Sequence, residues 1–262
     1  MDRMTDDRLE PEELQGTAEG ERMLRLLWDP PGPPSRGPRP KITLDQIVTT
    51  GVRLADADGL DVLSMRKVAA ELGVGVMSLY TYVPGRSELV ELMIDHAYGE
   101  LEKADPDTGW RIQVEALARQ SWELFRRHPW ILDTSLWRLP MGPNVLDAEE
   151  ELYRAIAASG LPARQIAGVK NLIVWHVHGV ARTDVQDREV ARRTGMSTEA
   201  YWESRNSFWF TYFEPERFPT MSRIYEAGGY DDELFAQGFD FAFERILDGI
   251  QQLVDKGVPD GS

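Results

Sequence analysis

Residues 63–86 read LSMRKVAAELGVGVMSLYTYVPGR, and this stretch decides the fold of the N-terminal part of the chain. Ser64 is a favoured N-cap residue, and apolar positions recur after it at helical spacing up to Gly73, which can end a helix. Only three residues, Gly73 to Gly75, separate this helix from a second one predicted over 76–83. Two short helices joined by a tight, glycine-containing turn predict a helix-turn-helix.

Longer helices are predicted on both sides of this pair. Upstream, Thr43 and Gln46 have the spacing of a capping box, and the helix that they start is predicted to end near Gly59. Downstream, Ser87 is predicted to cap a helix that runs to Leu101. The pattern therefore predicts a compact group of three helices followed by a longer connecting helix.

The flanking regions differ in character. Residues 1–40 are acidic and end in a proline-rich segment, so we expect a flexible extension with at most a helical turn at Leu24 to Trp28. Beyond Pro106 the pattern is helical throughout, with no convincing alternating strand. The predicted helices there span 110–128, 130–137, 144–159, 163–184, 198–212 and 231–255. The predicted fold class is all-α.

Charge is distributed unevenly along the chain. The net charge is -15, yet residues 36–86 hold seven Lys and Arg against five Asp and Glu. DNA binding needs positive charge where the phosphates lie, so an acidic total does not exclude it. The chain has no cysteine, which excludes disulfides and thiolate metal sites and suits a cytoplasmic protein. No stretch approaches 18 consecutive apolar residues, so we expect no membrane span.

The second helix of the pair carries polar and aromatic groups and no acid. Its candidate exposed positions are Ser78, Tyr80, Thr81 and Tyr82, and arginines flank the pair at Arg66 and Arg86. A short helix without negative charge, with hydroxyl and aromatic groups on one face, can enter the major groove of DNA.

This region resembles the TetR family of transcriptional regulators. The resemblance rests on RKVAAELGV, on SLYTYV and on PGRSELVELMIDHAY, and it extends to NLIVWHVHGVA and DDELFAQGFDFAFERILDGI, which are similar to the tetracycline-repressor-like C-terminal type. It implies a helix-turn-helix domain over 41–86, a connecting helix over 87–104 and a ligand-binding and dimerisation domain over 105–256. It also implies repression of a double-stranded, pseudo-palindromic DNA operator.

The resemblance also implies individual DNA contacts. Arg66 matches an arginine that reaches a base edge, and Arg86 matches a basic residue on a phosphate. The other predicted contacts are the recognition-helix positions Val76, Met77 and Ser78, the aromatic positions Tyr80 and Tyr82, and the N-terminal arm residues Arg39 and Lys41. Because aromatic rings usually bury much of their area, one of the two tyrosines packing mainly within the domain is the alternative.

The sequence contains no recognisable metal-binding or catalytic motif. His176 and His178 are two residues apart, which places them on different sides of a helix. None of the common metalloprotease, phosphate-loop or serine-hydrolase motifs occurs. Where the resemblance implies metal-binding histidines, this chain has Glu102 and Ser135. We therefore predict no enzyme, metal or cofactor; an all-α enzyme, or an interaction protein with an aromatic pocket and a vestigial helix-turn-helix, is the alternative.

Aromatic residues mark the C-terminal region as a candidate effector site. Asn171, Trp175 and His178 fall on one helical stripe of mixed polar and aromatic character, which suits a pocket for a small, partly aromatic or apolar molecule. Binding of this molecule is expected to release the operator. Ordinary core packing is the alternative. The predicted lining residues are Trp130, Trp137, Asn171, Trp175, His178, Trp209 and Phe213.

The helices near 163–184 and 231–255 are the predicted homodimer interface. The last helix is apolar over more surface than one packing face requires, and Gly238 and Ala242 allow another helix to approach closely. Complete burial of this helix within a monomer is the alternative. Two DNA-binding domains joined in this way would suit a pseudo-palindromic operator.

Overall fold

The computed structural model describes residues 11–30, 42–229 and 238–256. Within these ranges the chain forms α-helices and two short 3-10 turns and no β-strand, which confirms the all-α prediction. Arg39, Lys41 and the first residues of the predicted last helix lie outside the described residues.

The chain divides into two compact units. The first comprises Met1–Glu102 and Arg127–Glu150, and the second comprises Lys103–Arg126 and Glu151–Ser262. The segment Arg127–Glu150 groups with the first unit in this division, and the predicted functional domain boundaries at 40, 86 and 104 stay predictions. The chain therefore leaves the second unit after Arg126 and returns to it at Glu151.

The helices divide between these units. Those of the first unit are α1 (Pro11–Trp28), α2 (Leu44–Asp58), α3 (Met65–Glu71), α4 (Val76–Tyr80) and α5 (Arg86–Tyr98). The 3-10 turns Pro129–Asp133 and Leu136–Arg138 also lie there. Helix α7 (Pro143–Ala157) passes from the first unit into the second at Glu151. Those wholly or mainly in the second unit are α6 (Trp110–Arg127), α8 (Ala163–Thr194), α9 (Thr198–Glu203), α10 (Ser207–Thr211), α11 (Pro219–Glu226) and α12 (Gly238–Lys256).

The capping and turn residues of the helix-turn-helix region form as predicted, with one exception, but α4 ends at Tyr80 rather than at 83 and α5 ends at Tyr98 rather than at Leu101. Thr43 and Gln46 make the capping box of α2, and the Ser64 side chain accepts a hydrogen bond from the Lys67 amide. Gly73 follows the end of α3 with φ 66°, a conformation that favours glycine. The exception is Ser87: α5 begins at Arg86 with Gly85 as its N-cap, because glycine itself can take that position.

Several C-terminal boundaries differ from the prediction. The segment 130–137 forms two 3-10 turns rather than a helix, and 198–212 is interrupted between α9 and α10. Helix α8 continues ten residues beyond Asp184 to Thr194, and the Arg188 to Asp184 ion pair, spaced i, i+4, stabilises this extension. Helix α11 was not predicted, because Pro219 was taken as a break although proline is favoured in a first turn.

The N-terminal extension contains more structure than the predicted helical turn. Helix α1 has 18 residues, and its Met23, Leu26 and Leu27 are buried. Its last residue, Trp28, donates a hydrogen bond from Nε1 to the Met141 carbonyl oxygen at 2.8 Å. This helix therefore packs as part of the first unit.

The core of the first unit positions the helix-turn-helix. Val68 of α3 and Leu79 of α4 are fully buried, as are Leu89 and Met93 of α5. Gly51 of α2 faces Met93 so closely that a Cβ atom there would lie 2.8 Å from its sulfur. This packing fixes α3 and α4 on α2 and α5 and leaves the outer face of α4 exposed.

Candidate nucleic-acid interface and effector region

The exposed face of α4 is apolar and hydroxyl-bearing, without a carboxylate. Met77 is 73% exposed and Tyr80 is 45% exposed, and Ser78 is also exposed. Val76 is half-buried at the start of the helix, and Arg66 is exposed in the first turn of α3. The structure thus brings five of the predicted DNA contacts to the outside of α3 and α4.

Two carboxylates of the three-helix region, Asp58 and Glu71, are paired with basic side chains. Asp58 accepts from Lys67 Nζ at 3.1 Å, and Glu71 forms an ion pair with Arg53. Arg66 forms no ion pair within the part of the chain that the structure describes. The exposed Arg66 therefore offers a positive charge in the helix-turn-helix, which favours an approaching phosphate backbone.

Two of the predicted DNA contacts, Tyr82 and Arg86, make hydrogen bonds within the domain. The Tyr82 hydroxyl donates to the Ile42 carbonyl oxygen at 3.0 Å. Arg86 donates from Nε to the Leu63 carbonyl oxygen at 2.9 Å and from Nη2 to that of Leu60 at 2.6 Å. The Arg86 bonds join the start of α5 to the loop between α2 and α3, and the Tyr82 bond joins the segment after α4 to the segment before α2. Both side chains therefore help to position the DNA-binding helices.

The residues predicted to line an effector pocket fall into three groups. Trp130 is 1% exposed in the first unit and donates from Nε1 to Asp56 Oδ1 at 2.7 Å, so its ring is a core element there. Trp137 belongs to the same unit and is 76% exposed. Neither tryptophan lies in the second unit, which contains the other five predicted lining residues.

On α8 the predicted stripe exists but does not face the core. Val169, Ile173, Val177 and Ala181 are the buried residues of this helix. Trp175 lies on another side and is 51% exposed, and Asn171 is half-buried. His178 makes an edge contact with Phe125 of α6, with ring centroids 5.8 Å apart. Burial and the charge of Arg182 lower the pKa of His178, which favours a neutral imidazole.

Trp209 and Phe213 join a separate aromatic cluster. Their ring centroids lie 5.1 Å apart, and Phe213 stacks on Phe218 at 5.5 Å. Tyr225 of α11 stacks on Trp209 with a centroid distance of 6.3 Å. These rings pack on one another across α10 and α11.

A further aromatic cluster was not predicted. Trp122 of α6 stacks on Phe239 of α12 with centroids 4.9 Å apart, and His176 of α8 stacks on Phe243 at 5.7 Å. Trp122 Nε1 and His176 Nε2 are buried without a hydrogen-bond partner among the described residues. Burial lowers the pKa of His176, although the Phe239 backbone opposes this. In the sequence, the i, i+4 spacing of Phe239 and Phe243 in FDFAFERI was the pattern that could have indicated this aromatic cluster.

A shallow apolar groove lies between α8 and α12 in the second unit. Leu172 is 43% exposed and Leu253 is 44% exposed along this groove. Its lining residues are Gln165, Gly168, Val169, Leu172, Arg245, Ile246, Gly249, Ile250 and Leu253. The groove joins the two helices that were predicted to form the dimer interface.

Two negative findings apply to the described residues. Among them, no group of three His, Cys, Asp or Glu side chains is arranged to hold a metal ion. None of their helices has the length and apolar character needed to cross a membrane.

Comparison with known proteins identifies the family. Residues 103–254 match the model of the tetracyclin repressor-like C-terminal domain. The HTH-type transcriptional repressor DrrR1 of Streptomyces coeruleorubidus is 40% identical over 247 residues, which is 92% of this chain and 89% of that protein. The chain belongs to the TetR family. It is therefore a helix-turn-helix transcriptional regulator, and proteins of this family are regulators rather than enzymes.

Solved TetR-family structures have the same fold. The protein ActR of Streptomyces coelicolor in complex with actinorhodin is 27% identical, with a TM-score of 0.67, and the match covers 80% of this chain and 95% of that one. ActR in complex with (S)-DNPA gives a TM-score of 0.66 at 27% identity, covering 81% of this chain and 98% of that one. ActR thus binds small molecules within a fold that this chain shares.

Proposed function

We propose that the protein represses transcription from a pseudo-palindromic operator and releases it when a small aromatic molecule binds the second unit. The observation that carries this proposal is the exposed, acid-free face of α4, in a three-helix region where Asp58 and Glu71 are already paired with basic side chains. A duplex is strongly anionic, so a face of this kind can enter its major groove without charge repulsion. Operator binding places the protein in the cytoplasm, with the chromosomal DNA.

Base recognition would depend mainly on apolar contact. Met77 is the most exposed large apolar side chain of α4 and would fit against a thymine methyl group, with Val76 one residue before it at the start of the helix. Arg66 would reach a base edge, and Ser78 and Tyr80 would contact the adjacent backbone. Arg39 and Lys41 remain predicted contacts of the N-terminal arm. Tyr82 and Arg86 would contribute to DNA binding by holding the helices of the first unit in position through their hydrogen bonds.

Two protomers would pair through the α8 and α12 groove. Leu172 and Leu253 are large apolar side chains left partly exposed there, and glycines in both helices permit close approach. A two-fold dimer presents its recognition helices to half-sites about 34–36 Å apart, one turn of DNA. The operator would therefore be an inverted repeat.

The proposed effector is a planar aromatic compound with polar substituents. Support comes from the stacked rings of Trp122, His176, Phe239 and Phe243, in which the buried Trp122 Nε1 and His176 Nε2 atoms have no hydrogen-bond partner among the described residues. ActR, which shares the fold, binds actinorhodin and (S)-DNPA. An effector must favour the released state by about 5.5 kcal/mol to shift its population from 1% to 99%.

The experiment is selection of binding sites from random duplex DNA, followed by titration of the bound complex with a panel of planar aromatic compounds. Enrichment of an inverted repeat and release by at least one compound are expected. An Arg66→Ala variant provides the matched control for specific binding. A folded dimer that enriches no sequence at low salt would refute the proposal.

A further inference from the structure

A buried histidine in the first unit lies between two carboxylates. The His128 side chain is 7% exposed. Its Nδ1 atom lies 2.7 Å from Asp56 Oδ1, and its Nε2 atom lies 3.1 Å from Glu100 Oε1. Asp56 belongs to the last turn of α2, whereas Glu100 follows the end of α5. His128 thus bridges two chain segments that support the DNA-binding helices.

Both ring nitrogens of His128 face acceptors that cannot donate. A carboxylate has no N–H or O–H when ionised, and a neutral imidazole has one N–H only. With a single proton, one nitrogen lone pair would point at a carboxylate oxygen and the bridge would be repulsive on that side. The geometry therefore requires the doubly protonated imidazolium.

Other charges around the ring favour the same state. Arg127 Nη2 binds Glu100 Oε2 at 2.9 Å, and Trp130 Nε1 donates to Asp56 Oδ1 at 2.7 Å. Burial by itself would lower the pKa of His128, but the hydrogen bonds and charges of Asp56 and Glu100 outweigh burial and raise that pKa. The bridge is complete at pH values below the ordinary pKa of histidine, and it is lost as the pH rises through the raised pKa of His128.

The position of α2 depends on this bridge. Helix α2 packs against α3, against α5 and against the 3-10 turn that begins at Pro129. Its N-terminal part is fixed by the capping box and by the close contact of Gly51 with Met93. Its C-terminal end is held by Asp56, to which His128 and Trp130 both donate. If His128 no longer donates to Asp56, the C-terminal end of α2 is held by Trp130 alone and is less ordered.

We propose that His128 is a positioning residue for operator binding. Its imidazolium bridges Asp56 and Glu100 and so holds the C-terminal end of α2, the helix that precedes and supports α3 and α4. This inference rests on the proposed DNA-binding function. Operator affinity falls when His128 loses a proton, because binding must then order a less constrained α2. The protein consequently binds its operator more tightly at lower pH.

The test measures operator affinity of the full chain against pH at fixed ionic strength. Wild-type affinity is expected to fall about three- to tenfold between about pH 6 and about pH 9, because operator binding must then order an α2 end that neutral His128 no longer holds. His128→Gln is expected to remove this dependence. Glu100→Gln offers an amide that can donate to Nε2 and makes a neutral ring acceptable, so it shifts the midpoint to lower pH. His96→Gln removes the other histidine of the same unit and serves as the control.

Nitrogen-15 spectra of the imidazoles provide a second readout that is independent of DNA, with the His128 signal assigned by its absence in His128→Gln. Two N–H protons on His128 at neutral pH are expected. A single-proton tautomer there, or identical pH profiles of wild type and His128→Gln, would overturn the inference. Because Glu100 is exposed, Glu100→Gln tests the bridge even where His128→Gln fails to fold. Absence of any operator binding by wild type would count against the proposed function instead.

Discussion

Replacement of Arg86 by glutamine separates a structural role from a DNA-contact role. In the structure its guanidinium donates two hydrogen bonds to carbonyl oxygens of the loop before α3, at 2.9 and 2.6 Å. A hydrogen bond from a charged donor contributes about 1.5–3 kcal/mol, and exposure of the side chain argues for the lower end. We therefore expect a loss of about 1–2 kcal/mol in the free energy of unfolding.

Thermal unfolding and salt-dependent operator binding are the assays. A loss of this size lowers the melting temperature by about 2–6 °C. The slope of log affinity against log salt is expected to stay unchanged, whereas loss of a phosphate contact would reduce it by about 0.9. Arg192→Gln removes an exposed ion pair at the end of α8 and is the matched control for stability, with an expected change within about 0.5 kcal/mol. An unchanged melting temperature together with a reduced salt slope would refute this role of Arg86.

Three further outcomes are expected. Arg66→Ala should weaken operator binding by about 1–3 kcal/mol and relax sequence preference at one position of each half-site, as measured by anisotropy on single-base variants. Asp95→Ala should lower the free energy of unfolding in urea by about 1–2 kcal/mol, because the Asp95 carboxylate caps α7 by accepting from the Val145 amide at 3.0 Å; an unchanged urea midpoint would argue against this. Leu253→Asp should convert the dimer to monomers in sedimentation experiments, since it buries a charge in the α8 and α12 groove; a stable dimer would exclude that interface.

Features set by neighbouring residues could be predicted from the sequence. The capping box at Thr43, the Ser64 cap and the turn at Gly73 depend on backbone groups within three or four positions, so their residue types suffice. The exposed face of α4 follows from helical spacing once Leu79 is assigned to the core. These local rules defined most of the candidate DNA interface.

Features that depend on distant partners could not be predicted in this way. The inward orientation of Arg86 depends on carbonyl oxygens more than 20 residues earlier in the chain. Trp130 appeared to be a pocket residue because its partner, Asp56, lies 74 residues away. The His128 bridge likewise joins three segments that only the tertiary fold brings together. An aromatic or charged residue has the same local pattern whether it binds a ligand or completes the core.

The most direct test of the central claim, that the exposed face of α4 reads DNA, compares the selected binding sites of wild type and Met77→Ala. Met77 is 73% exposed, so its truncation should leave the fold intact. We predict that wild type selects an inverted repeat with half-sites about 10 base pairs apart, and that Met77→Ala loses a thymine preference at one position in each half. Identical site profiles for the two proteins would contradict the account.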